Sequence, residues 1–221
     1  MKLYHDITQI VPGKLKRTLF KKGHVIREQD IAEFKKIGKE NIYVGETKQG
    51  KIHENEASLR MSKAVSGDNI IFGEPVEGKT TLKSQIRGLF KVKSRLLYRI
   101  NSIKNITIAS LPNNFMVEKN QGLAGVRIIP LTIPERSIQK VEMLGQKEGS
   151  VFSVLPYKGL KVGIIAAGNE VRKGLIKDGF GPVLRKKFSY FGAEIKEQIF
   201  CSDKKEEIVT AIQYFLEKDV E

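Results

Sequence analysis

The chain has a single cysteine, Cys201, among 221 residues, which excludes an internal disulfide framework and fits a reducing compartment. No apolar run approaches the length needed to cross a bilayer, and the N-terminus lacks the apolar core of a signal peptide. A cytoplasmic location is the expectation from these absences. Acidic residues are in deficit: 25 Asp+Glu against 39 Lys+Arg leave a formal charge of +14, a field that attracts polyanions. The basic residues are nevertheless spread along the chain. The densest runs are only Lys14-Leu15-Lys16-Arg17 and Arg185-Lys186-Lys187. An RNP-like aromatic motif, a zinc-ligand spacing and a recognition-helix motif are all missing. A lysine-rich solvated surface is therefore favoured over a nucleic-acid face, which stays a minor alternative.

What is present fits a globular protein, with 40% hydrophobic and 29% charged residues. The length allows one large domain or two small ones. Strands are expected over 3–7, 25–26 and 41–44, with a turn at Pro12-Gly13. A helix begins at Asp30 and stops at Gly38. A second helix spans 53–66, ended by Gly67. Its start, His53-Glu54-Asn55-Glu56, gathers a histidine and two carboxylates in one turn. At best one pair shares a face, short of a closed metal site, and the carboxylates suit the positive helix terminus. Gly78-Lys79-Thr80 lacks the first glycine of a P-loop and follows no buried strand. Short strands joined by tight turns fill the stretch from Glu74 to Val92. A helix over 94–103 puts Leu96, Leu97, Ile100 and Ile103 on one face. Strands over 106–109 and 122–131 and a connecting helix over 138–144 complete a mixed α+β N-terminal region, residues 1–155.

Residues 156–221 read differently. The segment 160–167 is a near-continuous apolar run, as for a strand covered on both faces. It ends at Gly168-Asn169-Glu170-Val171, followed by Gly174-Leu175-Ile176-Lys177-Asp178. A helix over 182–191 carries proline in its first turn and Gly192 at its end, with Val183, Leu184, Phe188 and Phe191 as its buried stripe. A strand over 194–200 follows. The last helix opens at Asp203 with Glu206 three residues on, a capping-box spacing, and presents Ile208, Ile212, Phe215 and Leu216. The pattern is βαβα, the α/β class, and the first half of a doubly wound sheet. A buried strand entering a glycine turn presents backbone amides to a phosphate. About sixty residues with two strands and two helices make a small core with an uncovered parallel edge. A partner chain or the missing remainder of a truncated domain is expected there, and truncation is favoured.

Those residues resemble the opening of the molybdopterin-binding (MoCF) domain, found in gephyrin-like molybdopterin molybdenumtransferases, the related adenylyltransferases and competence-damage-inducible proteins. The likeness is carried by Val162 to Val171, by Gly174 to Asp178, and by Gly192-Ala193-Glu194-Ile195 with Asp203 at the next helix. Short upstream matches at Asp6 to Gly13, Phe20 to Ile26, His53 to Ala57 and Gly125 to Leu131 point the same way. The resemblance implies molybdenum-cofactor biosynthesis: insertion of molybdate into adenylylated molybdopterin with release of AMP, a transferase activity of the full-length protein. It implies Gly168 and Asn169 as cofactor-binding residues, Glu170, Asp178 and Asp203 as catalytic carboxylates, and Glu170 and Asp178 as Mg²⁺ ligands. The implied partner is molybdopterin or its adenylylated form, with no membrane; a homodimer is also allowed. Ala167 stands where the family usually has threonine, and Asn169 where aspartate is common. A non-catalytic pterin-binding or sensor module is the alternative.

Overall fold

The computed structural model describes residues 1–13 and 15–220, with Lys16 described in its backbone only; Lys14 of the first basic run lies outside the described residues. The chain divides into two compact units, Met1–Leu155 and Pro156–Glu221.

Unit 1 opens with the antiparallel hairpin β1 (Ile7–Val11) and β2 (Leu15–Phe20) about the turn at Pro12-Gly13. Helix α1 (Glu28–Lys36) begins where Asp30 accepts from the Arg27 amide at 2.9 Å. It ends as expected at Gly38, whose φ of 73° allows the amides of Gly38 and Lys39 to close on the carbonyls of Lys35 and Phe34. Leu3, Ile7 and Phe34 form a small core there. Strand β3 (Lys51–His53) runs into α2 (Glu54–Val65), followed by β4 (Ile70–Phe72), β5 (Lys79–Ser84), β6 (Gly88–Val92) and α3 (Ser94–Asn101). Then come β7 (Ile106–Ser110), β8 (Phe115–Val117), β9 (Gly122–Ile128), β10 (Thr132–Pro134), α4 (Glu135–Glu148) and β11 (Phe152–Pro156).

The principal sheet has the antiparallel order β4-β5-β9-β7. Strand β5 alternates strictly, burying Thr80, Leu82 and Ser84 and exposing Lys79, Thr81 and Lys83. Helix α2 covers the buried face, with Ala57 and Met61 fully inside and the Thr80 hydroxyl donating to Ser58 Oγ at 3.1 Å. Helix α4 is fastened to α2 by Arg60. Its guanidinium reaches both oxygens of Glu142, at 2.8 and 2.9 Å, and Glu135 at 3.0 Å.

Several expectations need correction in unit 1. The segments 25–26 and 41–44 contribute only single bridges, Lys2↔Val25 and Leu3↔Val44, and the first strand lies over 7–11 rather than 3–7. The strand over 15–20 was not anticipated, because Lys16, Arg17 and Thr18 interrupt its apolar residues and leave no period-2 pattern. Strand β9 stops at Ile128, since the amide of Ile129 turns to Asn105 and Pro130 has none to offer. The connecting helix is longer than 138–144, starting directly after Pro134.

Unit 2 has the expected α/β order: β12 (Lys161–Ala167), the single turn α5 (Asn169–Arg172), α6 (Phe180–Tyr190), β13 (Glu194–Cys201) and α7 (Lys205–Glu217). Strands β12 and β13 pair in parallel, with Ile164 opposite Gln198 and Ala167 opposite Cys201. Successive side chains point to opposite faces. Gly163 and Glu197 face α7, which lays the Phe215 ring over Gly163 and donates from Tyr214 Oη to Glu197 at 2.7 Å. Gln198 faces α6, where Arg185 donates to its Oε1 at 3.0 Å. One helix therefore covers each face, the first βαβα half of a doubly wound sheet.

Helix α6 starts two residues before Pro182 and ends in the expected turn, with Gly192 at φ 75°. Val183, expected inside, is 64% exposed, and on α7 Ile212 and Leu216 are exposed while Ala211 and Phe215 are buried. Each helix has only the narrow strand pair to pack on, so its apolar stripe is covered along one flank.

Candidate functional site

The C-terminal ends of β12 and β13 lie side by side, the position at which open α/β sheets receive ligands. The ladder continues one step beyond the strands: the Gly168 amide donates to the Cys201 carbonyl at 3.0 Å. Gly168 itself is buried with φ 152°, a conformation that side-chain-bearing residues rarely adopt, so the chain turns sharply from strand into α5. Its amide is consequently committed to the sheet. The amides that follow, of Asn169, Glu170 and Val171, have no acceptor among the described residues.

The structure brings Asn169 and Asp203 together, the Asn169 amide nitrogen lying 3.5 Å from Asp203 Oδ2, across the two strand ends. Glu170 is exposed and has no partner among the described side chains. Its carbonyl accepts from Leu175 at 2.8 Å and so folds the loop back. Asp178 is placed differently. Its Oδ1 accepts from the amides of Phe180 and Gly181, both at 3.0 Å, and its Oδ2 from Gly181 at 3.2 Å and the Gln198 side chain at 2.7 Å. The Gly181 amide foremost, then Gln198, holds its carboxyl below the usual range. Asp178 thus tethers the start of α6 to the middle of β13.

The start of α7 corrects another expectation. Asp203 does not cap it, and Glu206 makes no capping contact. Instead Ser202 Oγ accepts from the Lys204 amide at 3.3 Å, and Glu207 Oε2 accepts from the Ser202 amide at 2.9 Å. Arg172 of α5 donates to Glu207 Oε1 at 2.8 Å, locking the strand-end turn to α7. Ser202 first and then Arg172 keep the Glu207 carboxyl below its usual range. Freed from capping, Asp203 is exposed at the strand end beside Asn169. Gln198, Ser202, Glu207 and Arg172 escaped sequence reasoning. For Ser202 and Glu207 the Ser-x-x-x-x-Glu spacing is the one hint, and Asp203-x-x-Glu206 competes with it in the same six residues. Beside this turn a groove of about 520 Å³ is lined by Arg172, Ile199, Cys201, Glu207, Ala211 and Tyr214.

Residues 163–220 match the family model described as a probable molybdopterin binding domain. The match covers the whole strand-end site and ties this unit to molybdopterin binding or molybdenum-cofactor biosynthesis. Residues 1–46 match a second family model, a domain of unknown function (DUF8806). No curated protein and no solved structure matches the chain. No helix is long and apolar enough to cross a membrane among the described residues.

The carboxylates of this unit bear on Mg²⁺ as well. Hard oxygen donors would suit it. Among the described residues, however, no three His, Cys, Asp or Glu side chains converge as a metal-holding group. All the lone pairs that Asp178 directs inward already face donors. A magnesium ion held by protein side chains alone does not fit this arrangement.

Proposed function

We propose that unit 2 binds molybdopterin at the ends of β12 and β13, and that the protein acts in molybdenum-cofactor biosynthesis by inserting molybdate into adenylylated molybdopterin. The observation that carries this reading is the placement of the matched segment. Gly168–Glu170 and Ser202–Asp203 stand side by side at the strand ends, with three amides at the turn that have no acceptor among the described residues. In this reading the amides of Asn169 and Glu170 take a phosphate oxygen. Gly168 lets the backbone approach it, and the Asn169 side chain is oriented by Asp203. Glu170 and Asp203 are the carboxylates left free to act on the ligand. Asp178 serves by holding α6 and β13 in place.

Titration of the protein with molybdopterin and with its adenylylated form, followed by release of AMP on adding molybdate, tests it. Saturable pterin binding is expected, weakened by Glu170→Ala and by Asp203→Ala. Absence of pterin binding sinks the reading. The commitment of Asp178 to backbone amides favours one alternative, a non-catalytic pterin-binding module. That module would bind the same ligand, release no AMP, and leave molybdate unincorporated.

A further inference from the structure

The segment His53–Asn55, at the start of α2, joins three parts of unit 1. His53 Nε2 donates to the Tyr4 carbonyl at 2.9 Å, since a carbonyl can only accept, and His53 Nδ1 takes the Asn55 amide at 3.2 Å. The Asn55 side chain in turn accepts from the Gly78 amide at 3.1 Å, pinning the turn before β5. Between them, Glu54 is 6% exposed, yet no hydrogen-bond donor reaches its carboxylate among the described residues. Arg127 and Lys22 attract it from a distance without forming an ion pair, and burial outweighs them, holding the carboxyl above its ordinary 4.5. The helix terminus favours a negative charge here but supplies no donor.

Glu54 lines a cavity of about 300 Å³, with Asp6, Thr8, Ile10, Glu77 and Leu131 among its walls and Lys39 at the side. Thr8 Oγ1, on the same wall, is a buried polar atom without a hydrogen-bond partner. Asp6, Glu54 and Glu77 line this space together with His5 and Lys39. A buried carboxylate left without donors is costly. What Glu54 lacks is an N–H donor within hydrogen-bonding reach, which a small cation would bring. A phosphate would meet the carboxylates and be repelled, and no metal-holding trio exists among the described residues. The volume is at the low end for ligand pockets and suits a small molecule.

We propose that this cavity binds a small organic cation, a primary ammonium or guanidinium group on a short apolar stem. Glu54 and Thr8 take its N–H donors, and Ile10 and Leu131 pack its stem. The site lies in unit 1 and does not rest on the pterin reading of unit 2.

Calorimetric titration of the full chain with putrescine, agmatine and n-butylammonium tests it, with 1-butanol as the uncharged control. At least one cation is expected to bind saturably with a Kd of about 1 mM or tighter, and 1-butanol at least about tenfold more weakly. Glu54→Gln weakens binding by about tenfold or more and Thr8→Val by a few-fold, on the order of 1 kcal/mol for the latter. Glu56→Gln, a solvent-facing carboxylate 3.6 Å from Arg60, leaves it unchanged. No saturation by any of the three cations up to about 20 mM, a water-filled cavity only, overturns the proposal. So does equal binding by Glu54→Gln or by 1-butanol. Should Glu54→Gln fail to fold, amide shifts of the wild-type chain on adding the cation decide. Shifts centred on Thr8 and Glu54 support the site, and shifts elsewhere overturn it.

Discussion

The carboxylates of Asp178 and Glu54 are opposites in how their charge is met, and their pH dependences should have opposite signs. Asp178 has donors on both oxygens, so its folded pKa lies below the ordinary 3.8. Its stabilising contribution is present above that value and is lost as pH falls through the lowered folded pKa. Asp178→Asn should therefore lower the urea midpoint of unit 2 at pH 7. The deficit should fade in strong acid, as followed by circular dichroism. Glu54 has a raised folded pKa, so its contribution is fully present below 4.5 and is lost as pH rises through the raised value. Without ligand, Glu54→Gln should raise the midpoint of unit 1 at pH 7 by an amount that shrinks below pH 4.5. A midpoint unchanged at both pH values would show that water already satisfies the carboxylate.

Two glycines of unit 2 allow close approaches that a methyl group would block. A Cβ on Gly163 would lie 2.5 Å from the Phe215 ring, and one on Gly181 2.2 Å from Asp178 Oδ2. Gly163→Ala should cost about 1–3 kcal/mol of unit 2 stability by overpacking, and urea titration would measure it. Gly181→Ala should do so as well and, by displacing Asp178, should also reduce the pH dependence described above. In unit 1 the Arg60 network joins α2 to α4. It is partly solvated, so Arg60→Met should cost about 1 kcal/mol, and less as salt is added. These contacts show what the sequence could and could not reveal. The β12 run, the glycine stops at Gly38 and Gly192, and the alternation of β5 are local and were legible. The tether from Asp178 to Gln198 spans twenty residues and depends on strand register, which no spacing encodes. The start of α7 was misread because Asp203-x-x-Glu206 has the spacing of a capping box, whereas the bonds formed there run from the Ser202 amide to Glu207 and from the Lys204 amide to Ser202 Oγ. Glu54 could be singled out by sequence, but its burial without donors follows from β1 and the turn at Gly78 closing over it.

The two units differ in how much apolar surface they remove from water. Unit 1 encloses a continuous core built on α2, the principal sheet and the stacked Phe90 and Phe152 rings, whose centroids are 5.6 Å apart. Among the described residues of unit 2 only Ile164, Cys201, Ala211 and Phe215 are buried apolar side chains, while Leu175, Ile176, Phe180, Val183 and Leu216 are all more than half exposed. Each fully buried large apolar side chain contributes roughly 1.5–3 kcal/mol, and that gain must offset the conformational entropy of every ordered residue. Unit 2 therefore has much less to set against its chain entropy. Urea unfolding should show two transitions, the first removing the parallel strand pair and the second the antiparallel sheet. Residues 1–155 expressed alone should keep the second midpoint, and molybdopterin should shift only the first, since a ligand stabilises the state it binds. A single transition shared by both units, together with an unfolded 1–155 fragment, would show that the units are one cooperative body. A ligand shift confined to the second transition would move the pterin site out of unit 2.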